Sequence, residues 1–193
     1  IEAERQNRRL IGVELKADLV EYVRDKVAPE LLGDRIRLLQ GDATRVETAQ
    51  RVRAALDDMG ADRAQLLMLH PPYHDIITFS DDPADLSNAE DLDQFLDSFE
   101  AAARHGFDLL EPERFAVLVI GDKYAQGELI PLSFYCLDRM ERVGFRAKAV
   151  VVKNIEGNER GKGRDTNLWR YRALRGGFYI FKHEYVMVFR KPG

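Results

Sequence analysis

Sulfur is scarce in this chain, which has a single cysteine, Cys136, and four methionines in 193 residues. One cysteine excludes an internal disulfide and every metal site built from several thiolates, and it suits a reducing, cytoplasmic setting. No metal is expected. Apolar runs are short as well, and none approaches the roughly 18 residues of a membrane span. The first residues lack the basic-then-apolar layout of a signal peptide, so no membrane association is expected. Internal repeats and linkers are missing too, and the length favours one domain over residues 1–193 that buries its own core.

Charge of one sign is missing from two stretches, and the asymmetry carries more information than the net charge of −4. From His74 to Glu100 there are nine acidic residues and no lysine or arginine. From Glu159 to Arg175 there are six basic residues against two acidic ones. The second stretch, with Trp169 and Tyr171 interleaved and several glycines, predicts a basic loop over 155–177 that meets phosphates and wedges into a duplex.

The apolar periodicity is of two alternating kinds. Short strands are predicted at 10–15, 36–39 and 65–69, with helices over 16–28 and 45–59 between them. Ser87 and Glu90 have capping-box spacing ahead of Leu92, Phe95, Leu96, Phe99 and Ala103, which share one helical face. A continuous apolar strand covers 115–120, and Pro131 and Gly144 bound a further helix. Strands at 145–152 and 184–189 complete the series. Alternating elements with unalternating apolar strands predict an α/β fold, a mostly parallel, doubly wound sheet covered on both faces with an antiparallel last strand.

In such sheets ligands gather at the carboxyl ends of the strands, where Glu14, Asp42, His70 and Asp122 stand in succession. Glu14 is placed to accept from the hydroxyls of a ribose. Asp42, after Gly41, is placed either to accept from an adenine amine or to bond its own turn. His70-Pro71-Pro72-Tyr73 is the more pointed signal. Two prolines cannot continue a sheet, so they form a rigid extended segment whose carbonyls lack ladder partners. A tyrosine ring beside such acceptors suits a planar base that carries an amino group.

This end of strand resembles the Asp/Asn/Ser-Pro-Pro-Tyr/Phe signature of S-adenosylmethionine-dependent amino methyltransferases, especially those acting on adenine N6 or cytosine N4 of DNA. The resemblance extends to Ile1 through Leu15, to Ser80 through Ser87 with Phe95 and Leu96, to Val119 through Asp122, and to His183 through Arg190. It implies a Rossmann-like methyltransferase fold with S-adenosylmethionine as cofactor and DNA as partner. Glu14 and Leu15, with Asp42 and Ala43, would hold the cofactor. His70, Pro71, Pro72 and Tyr73 would form the catalytic site, and Arg160, Lys162, Arg164, Trp169, Arg170 and Arg172 the nucleic-acid contact. Adenine N6 is the favoured target, and a restriction endonuclease partner or a homodimer would fit.

Two departures accompany the resemblance. Histidine stands at position 70, where it accepts a hydrogen bond only as the neutral ring in one tautomer. The family's first strand and glycine-rich loop are not found before Glu14, so the expectation is that an amino-terminal segment is lacking. The alternatives are methylation of an RNA base or a protein glutamine, both with planar amines, and a non-catalytic nucleic-acid-binding subunit of the same fold.

Overall fold

The computed structural model describes residues 2–27, 35–155, 175–177 and 181–193. A single helical turn, α1 (Glu2–Arg5), precedes β1 (Leu10–Glu14). Helix α2 (Ala17–Tyr22) runs on into a wider π-type turn over Val23–Val27. Strand β2 (Ile36–Gln40) then lies parallel to β1, with Leu10 opposite Ile36 and Glu14 opposite Gln40. Helix α3 (Val46–Asp58) leads to β3 (Ala64–Leu69). After it come α4 (Leu92–Leu109), β4 (Leu110–Ile120), the small hairpin β5 (Lys123–Ala125) and β6 (Glu128–Ile130), α5 (Leu132–Val143), β7 (Arg146–Asn154) and β8 (His183–Arg190).

Four strands form one sheet in the order β3-β4-β8-β7. β3 is parallel to β4, and β8 is antiparallel to both β4 and β7. β4 and β7 therefore point the same way, and the last strand alone is reversed, as the sequence predicts. β1 and β2 form a separate two-stranded sheet. Among the described residues no strand pairs with the second edge of β1 or of β3.

The core lies on one face of the four-stranded sheet. Phe95, Phe99 and Ala103 of α4 and Leu132, Cys136 and Met140 of α5 pack on Ala116, Leu118 and Ile120 of β4 and on Met187 and Phe189 of β8. Each large apolar side chain so buried contributes about 1.5–3 kcal/mol, which makes this cluster the main apolar stabilisation of the fold. The opposite face differs from the expectation of helices on both sides. Leu66 is 55% and Met68 66% exposed, and Phe115 and Val151 are also open to solvent. The strands have the continuous apolar character that two-sided burial calls for, but α4 and α5 both pack on the same side.

Local chemistry sets the helix ends. Gly144 closes α5 with φ +121°, a conformation that suits glycine, as its position after the apolar series suggests. The start of α4 differs from the expected Ser87 and Glu90 pair. Asp91 is the cap, accepting from the Gln94 amide at 2.8 Å, while Gln94 Oε1 accepts from the Glu90 amide at 2.5 Å. Ser87 is spent elsewhere, donating its hydroxyl to Asp85 at 2.8 Å within a 3-10 turn over Leu86–Asn88. The far end of α4 is closed by the buried Lys191, whose Nζ donates to the carbonyls of Phe107 at 2.6 Å and Leu110 at 2.8 Å. No helix among the described residues is long and apolar enough to cross a membrane.

Candidate functional site

Strand β3 delivers the Pro-Pro-Tyr motif to its carboxyl end. His70 is exposed, Pro71, Pro72 and Tyr73 are half-buried, and His74 is buried. Among the described residues no backbone amide donates to the carbonyls of residues 70, 71 or 72. The prolines thus do what their chemistry dictates: they end the ladder and leave acceptors free.

The chain then turns sharply, with His74 at φ +55°. This conformation is uncommon for a side chain other than glycine and requires support from its surroundings. The support is a buried lysine. Lys123, at the start of β5, donates to His74 Nδ1 at 2.8 Å and also pairs with Asp75. His74 Nε2 faces the Ala89 carbonyl at 3.3 Å, so the ring accepts on Nδ1 and donates from Nε2. The hydrogen bond from Lys123 holds the Asp75 carboxyl below its usual range.

Tyr73 is fixed more tightly than a free stacking surface would be. Its hydroxyl donates to Glu184 Oε2 at 2.6 Å, and Lys153 donates to Glu184 Oε1 at 2.5 Å. Burial, and then the hydrogen bond and charge of Glu184, push the Tyr73 hydroxyl pKa well up. The same links, Lys153 first and then Tyr73, hold the Glu184 carboxyl down. The His70 ring lies 6.2 Å from that of Tyr73, tilted by 47°.

The ends of β1 and β2 lie side by side, because the Gly41 amide donates to the Glu14 carbonyl at 2.9 Å. Glu14 Oε1 accepts from the Lys16 amide at 3.0 Å. The Leu15 carbonyl accepts from Gln40 at 3.2 Å. Asp42 Oδ1 accepts from the amide and the hydroxyl of Thr44 at 2.8 and 2.7 Å, which is the turn-bonding role that the sequence left as one of two readings. The Ala43 carbonyl accepts from His105 Nδ1 at 3.1 Å. Lys16 reaches across to the Phe79 carbonyl at 3.2 Å, in the segment that follows the Pro-Pro-Tyr motif. Beside Asp42 a cleft of about 400 Å³ opens, walled by Thr44, Arg45, the segment 82–86, Gln94 and Ser98.

Asp122 does not join this set. Its Oδ1 accepts from the amide and the hydroxyl of Ser133 at 2.9 and 2.5 Å, which makes it a cap on α5. Arg160, Lys162, Arg164, Trp169, Arg170 and Arg172 lie outside the described residues. Glu184, Lys153 and Lys123 escape a reading by strand ends, since they meet the motif only through the fold, and His74, next to Tyr73 in sequence, escapes it because its partner Lys123 is remote. One signal was available for Glu184, a carboxylate at the head of the apolar run of β8.

The chain matches no protein-family model and no curated protein sequence. Solved structures do match. TTHA0409 of Thermus thermophilus, which its name assigns as a DNA modification methylase, is 23% identical over 79% of this chain and 52% of that chain, with a TM-score of 0.50. A methyltransferase from Pyrococcus furiosus is 14% identical over 100% of this chain and 68% of its own, with a TM-score of 0.55. The [4+2]-cyclase SpnF is 13% identical over 99% and 70%, with a TM-score of 0.57. The chain spans about half the length of the modification methylase structures it matches. Because a cyclase shares this fold, the fold does not set the reaction, and function has to be argued from the site.

Proposed function

We propose that this Rossmann-like methyltransferase fold serves the transfer of a methyl group from S-adenosylmethionine to the exocyclic amine of a base in DNA, adenine N6 ahead of cytosine N4. The observation that carries the reading is the end of β3, where two prolines with free carbonyls adjoin a tyrosine ring held in place by Glu184. An aromatic amine is a poor nucleophile because its lone pair is delocalised into the ring. Acceptors at His70 and at the Pro71 carbonyl bind the amine hydrogens and favour a pyramidal, more nucleophilic nitrogen in the transition state. Pro72 keeps that segment rigid. Tyr73 offers its ring to the extruded base, and its raised pKa keeps the hydroxyl protonated, so it donates to Glu184 and does not serve as a base.

The residues present suit the cofactor. Glu14 has one carboxylate oxygen engaged by Lys16 and another to offer a ribose, and it adjoins the Asp42 turn through Gly41. In this reading Glu14 and Leu15 hold the ribose side, and Asp42 and Ala43 the adenine. When bound, S-adenosylmethionine supplies an electrophilic methyl group. Arg160, Lys162, Arg164, Arg170 and Arg172 meet phosphates and Trp169 wedges between bases, while a restriction endonuclease partner or a homodimer rests on the family resemblance alone.

The test is methyl transfer from labelled S-adenosylmethionine to DNA, followed by digestion and identification of the labelled nucleoside. Label in N6-methyladenine or N4-methylcytosine supports the reading. Tyr73→Ala should lower the rate about tenfold or more through lost stacking, whereas His70→Asp should retain or raise it. Label found in RNA or in protein glutamine alone would sink the DNA assignment. Failure to bind S-adenosylmethionine at millimolar concentration in calorimetry would favour the non-catalytic subunit.

A further inference from the structure

The methyl-transfer reading needs the Tyr73 ring but does not explain the charges behind it. Glu184 is buried at the start of β8, and Lys153 is its direct partner across the β7–β8 pair. A carboxylate in such a place is unfavourable to bury unless it is paired and hydrogen-bonded. Both of its oxygens are used, one by Lys153 and the other by the Tyr73 hydroxyl. On another side of the ring, a Cβ at Gly121 would come within 2.9 Å of Tyr73 Cε2, so the ring edge is seated against bare backbone. The ring is thus constrained at its hydroxyl, by an ion pair, and at its edge, by a glycine. Filling space does not require an ion pair, since an apolar side chain would serve; holding the hydroxyl end of a ring at one place does require a directional contact.

We propose that Glu184, oriented by Lys153, is a positioning residue that fixes the axis of the Tyr73 ring, whose edge the Gly121 backbone then seats, before a planar base arrives. This rests on the reading of His70 to Tyr73 as an amine-binding site. The anchored hydroxyl and the Gly121 seat leave the ring one orientation, so the ordering of the stacking surface is complete before the substrate binds. Preorganisation of this kind lowers the entropy that binding and reaction must overcome. Glu184 does not touch the substrate, and it acts through the tyrosine.

Two measurements on the whole protein test this. In the first, Tyr73→Phe, Glu184→Gln and the double variant are compared in methyl transfer to DNA. Each single change should lower kcat/KM about tenfold, and the double variant should be no worse than the poorer single one, since both act through one hydrogen bond. Additive losses would overturn the proposal. In the second, averaging of the Tyr73 χ1 rotamer is read by NMR from side-chain three-bond couplings on labelled tyrosine, with no substrate present. It should increase in Glu184→Gln and also in Lys153→Met, a change at a side chain 59% exposed that leaves the core untouched. An unchanged single rotamer in both would overturn the positioning role. Because ring order is measured without the reaction, absence of methyl transfer with increased averaging would indict the reading of the function and leave the positioning role standing.

Discussion

Gly121 leaves the carboxyl end of β4 without a side chain, and the Tyr73 ring occupies the space. An added methyl group would stand 2.9 Å from Cε2, and the ring cannot swing away without breaking the 2.6 Å bond from its hydroxyl to Glu184. Gly121→Ala should therefore lower stability by roughly 1–3 kcal/mol, the usual range for overpacking, as read from urea denaturation. The loss should shrink when Tyr73→Ala removes the ring, whereas an equal loss in both backgrounds would mean that the ring is not the obstacle. Glu184 adds a dependence on pH. Its folded pKa lies below its ordinary value, so the unfolded chain binds the proton more readily. The stabilisation is then fully present above the ordinary carboxylate range, near pH 4.3, and is lost as the pH falls below it through the lower folded value. The stability gap between the native protein and Glu184→Gln should narrow on acidification from about pH 5 downward; a gap independent of pH would show that the carboxylate is not the stabilised form.

At the scale of single elements, caps do much of the specifying. Asp122 stands at a strand end, where a carboxylate invites a functional reading, yet both of its contacts go to Ser133 at the start of α5. Asp122→Ala should reduce stability by about 1 kcal/mol, the usual contribution of a hydrogen bond, and Asp122→Asn should recover most of it in thermal unfolding. No loss in Asp122→Ala would rule out a capping role. The same elements show what the sequence could and could not disclose. Helical spacing of Phe95, Leu96, Phe99 and Ala103 names a face that is in fact buried, because one period governs both pattern and packing. The cap of α4 is ambiguous in sequence because Ser87 to Glu90 and Asp91 to Gln94 carry the same signature one turn apart. The local bond from Ser87 to Asp85, within the turn ahead of the helix, separates them. The β5–β6 hairpin leaves no clear trace in the sequence. Its strands are three residues long, and its two-residue turn, Gln126 and Gly127 both at positive φ, lacks the asparagine that usually announces such a turn. At the site, the proline carbonyls and Tyr73 are legible because the signal is local. Glu184 lies 111 residues from Tyr73, and its role becomes visible only when β8 is placed beside β4.

Over the whole molecule the distribution of burial divides the chain. Among the described residues, Val20, Ile36, Ala55 and Leu56 are the buried apolar ones of the part that precedes β3, and none belongs to the cluster formed by α4, α5, β4 and β8. That earlier part meets the rest where α3 packs beside α4 and through polar contacts. Lys16 meets the Phe79 carbonyl, His105 the Ala43 carbonyl, and Arg53 the Asp108 carbonyl, all at exposed positions. Such bonds contribute about 1 kcal/mol each, much less than the apolar cluster does. The alternation of strand and helix is legible in the sequence, but the division into two sheets is not, since strand pairing depends on contacts between distant residues. A ladder of local stabilities follows, because regions with few buried apolar contacts open before the core. Native-state hydrogen exchange should show the amides of β1 and β2 exchanging by local opening of low free energy, with β4 and β8 exchanging only on global unfolding. Equal protection in all four strands would show that the polar ties couple the two parts fully. Since Glu14 and Asp42 terminate β1 and the turn after β2, S-adenosylmethionine bound as proposed should slow exchange in those two strands far more than in β4 and β8, by mass action on the opening step. Protection confined to β4 and β8, or absent at saturating cofactor, would remove Glu14 and Asp42 from the cofactor site.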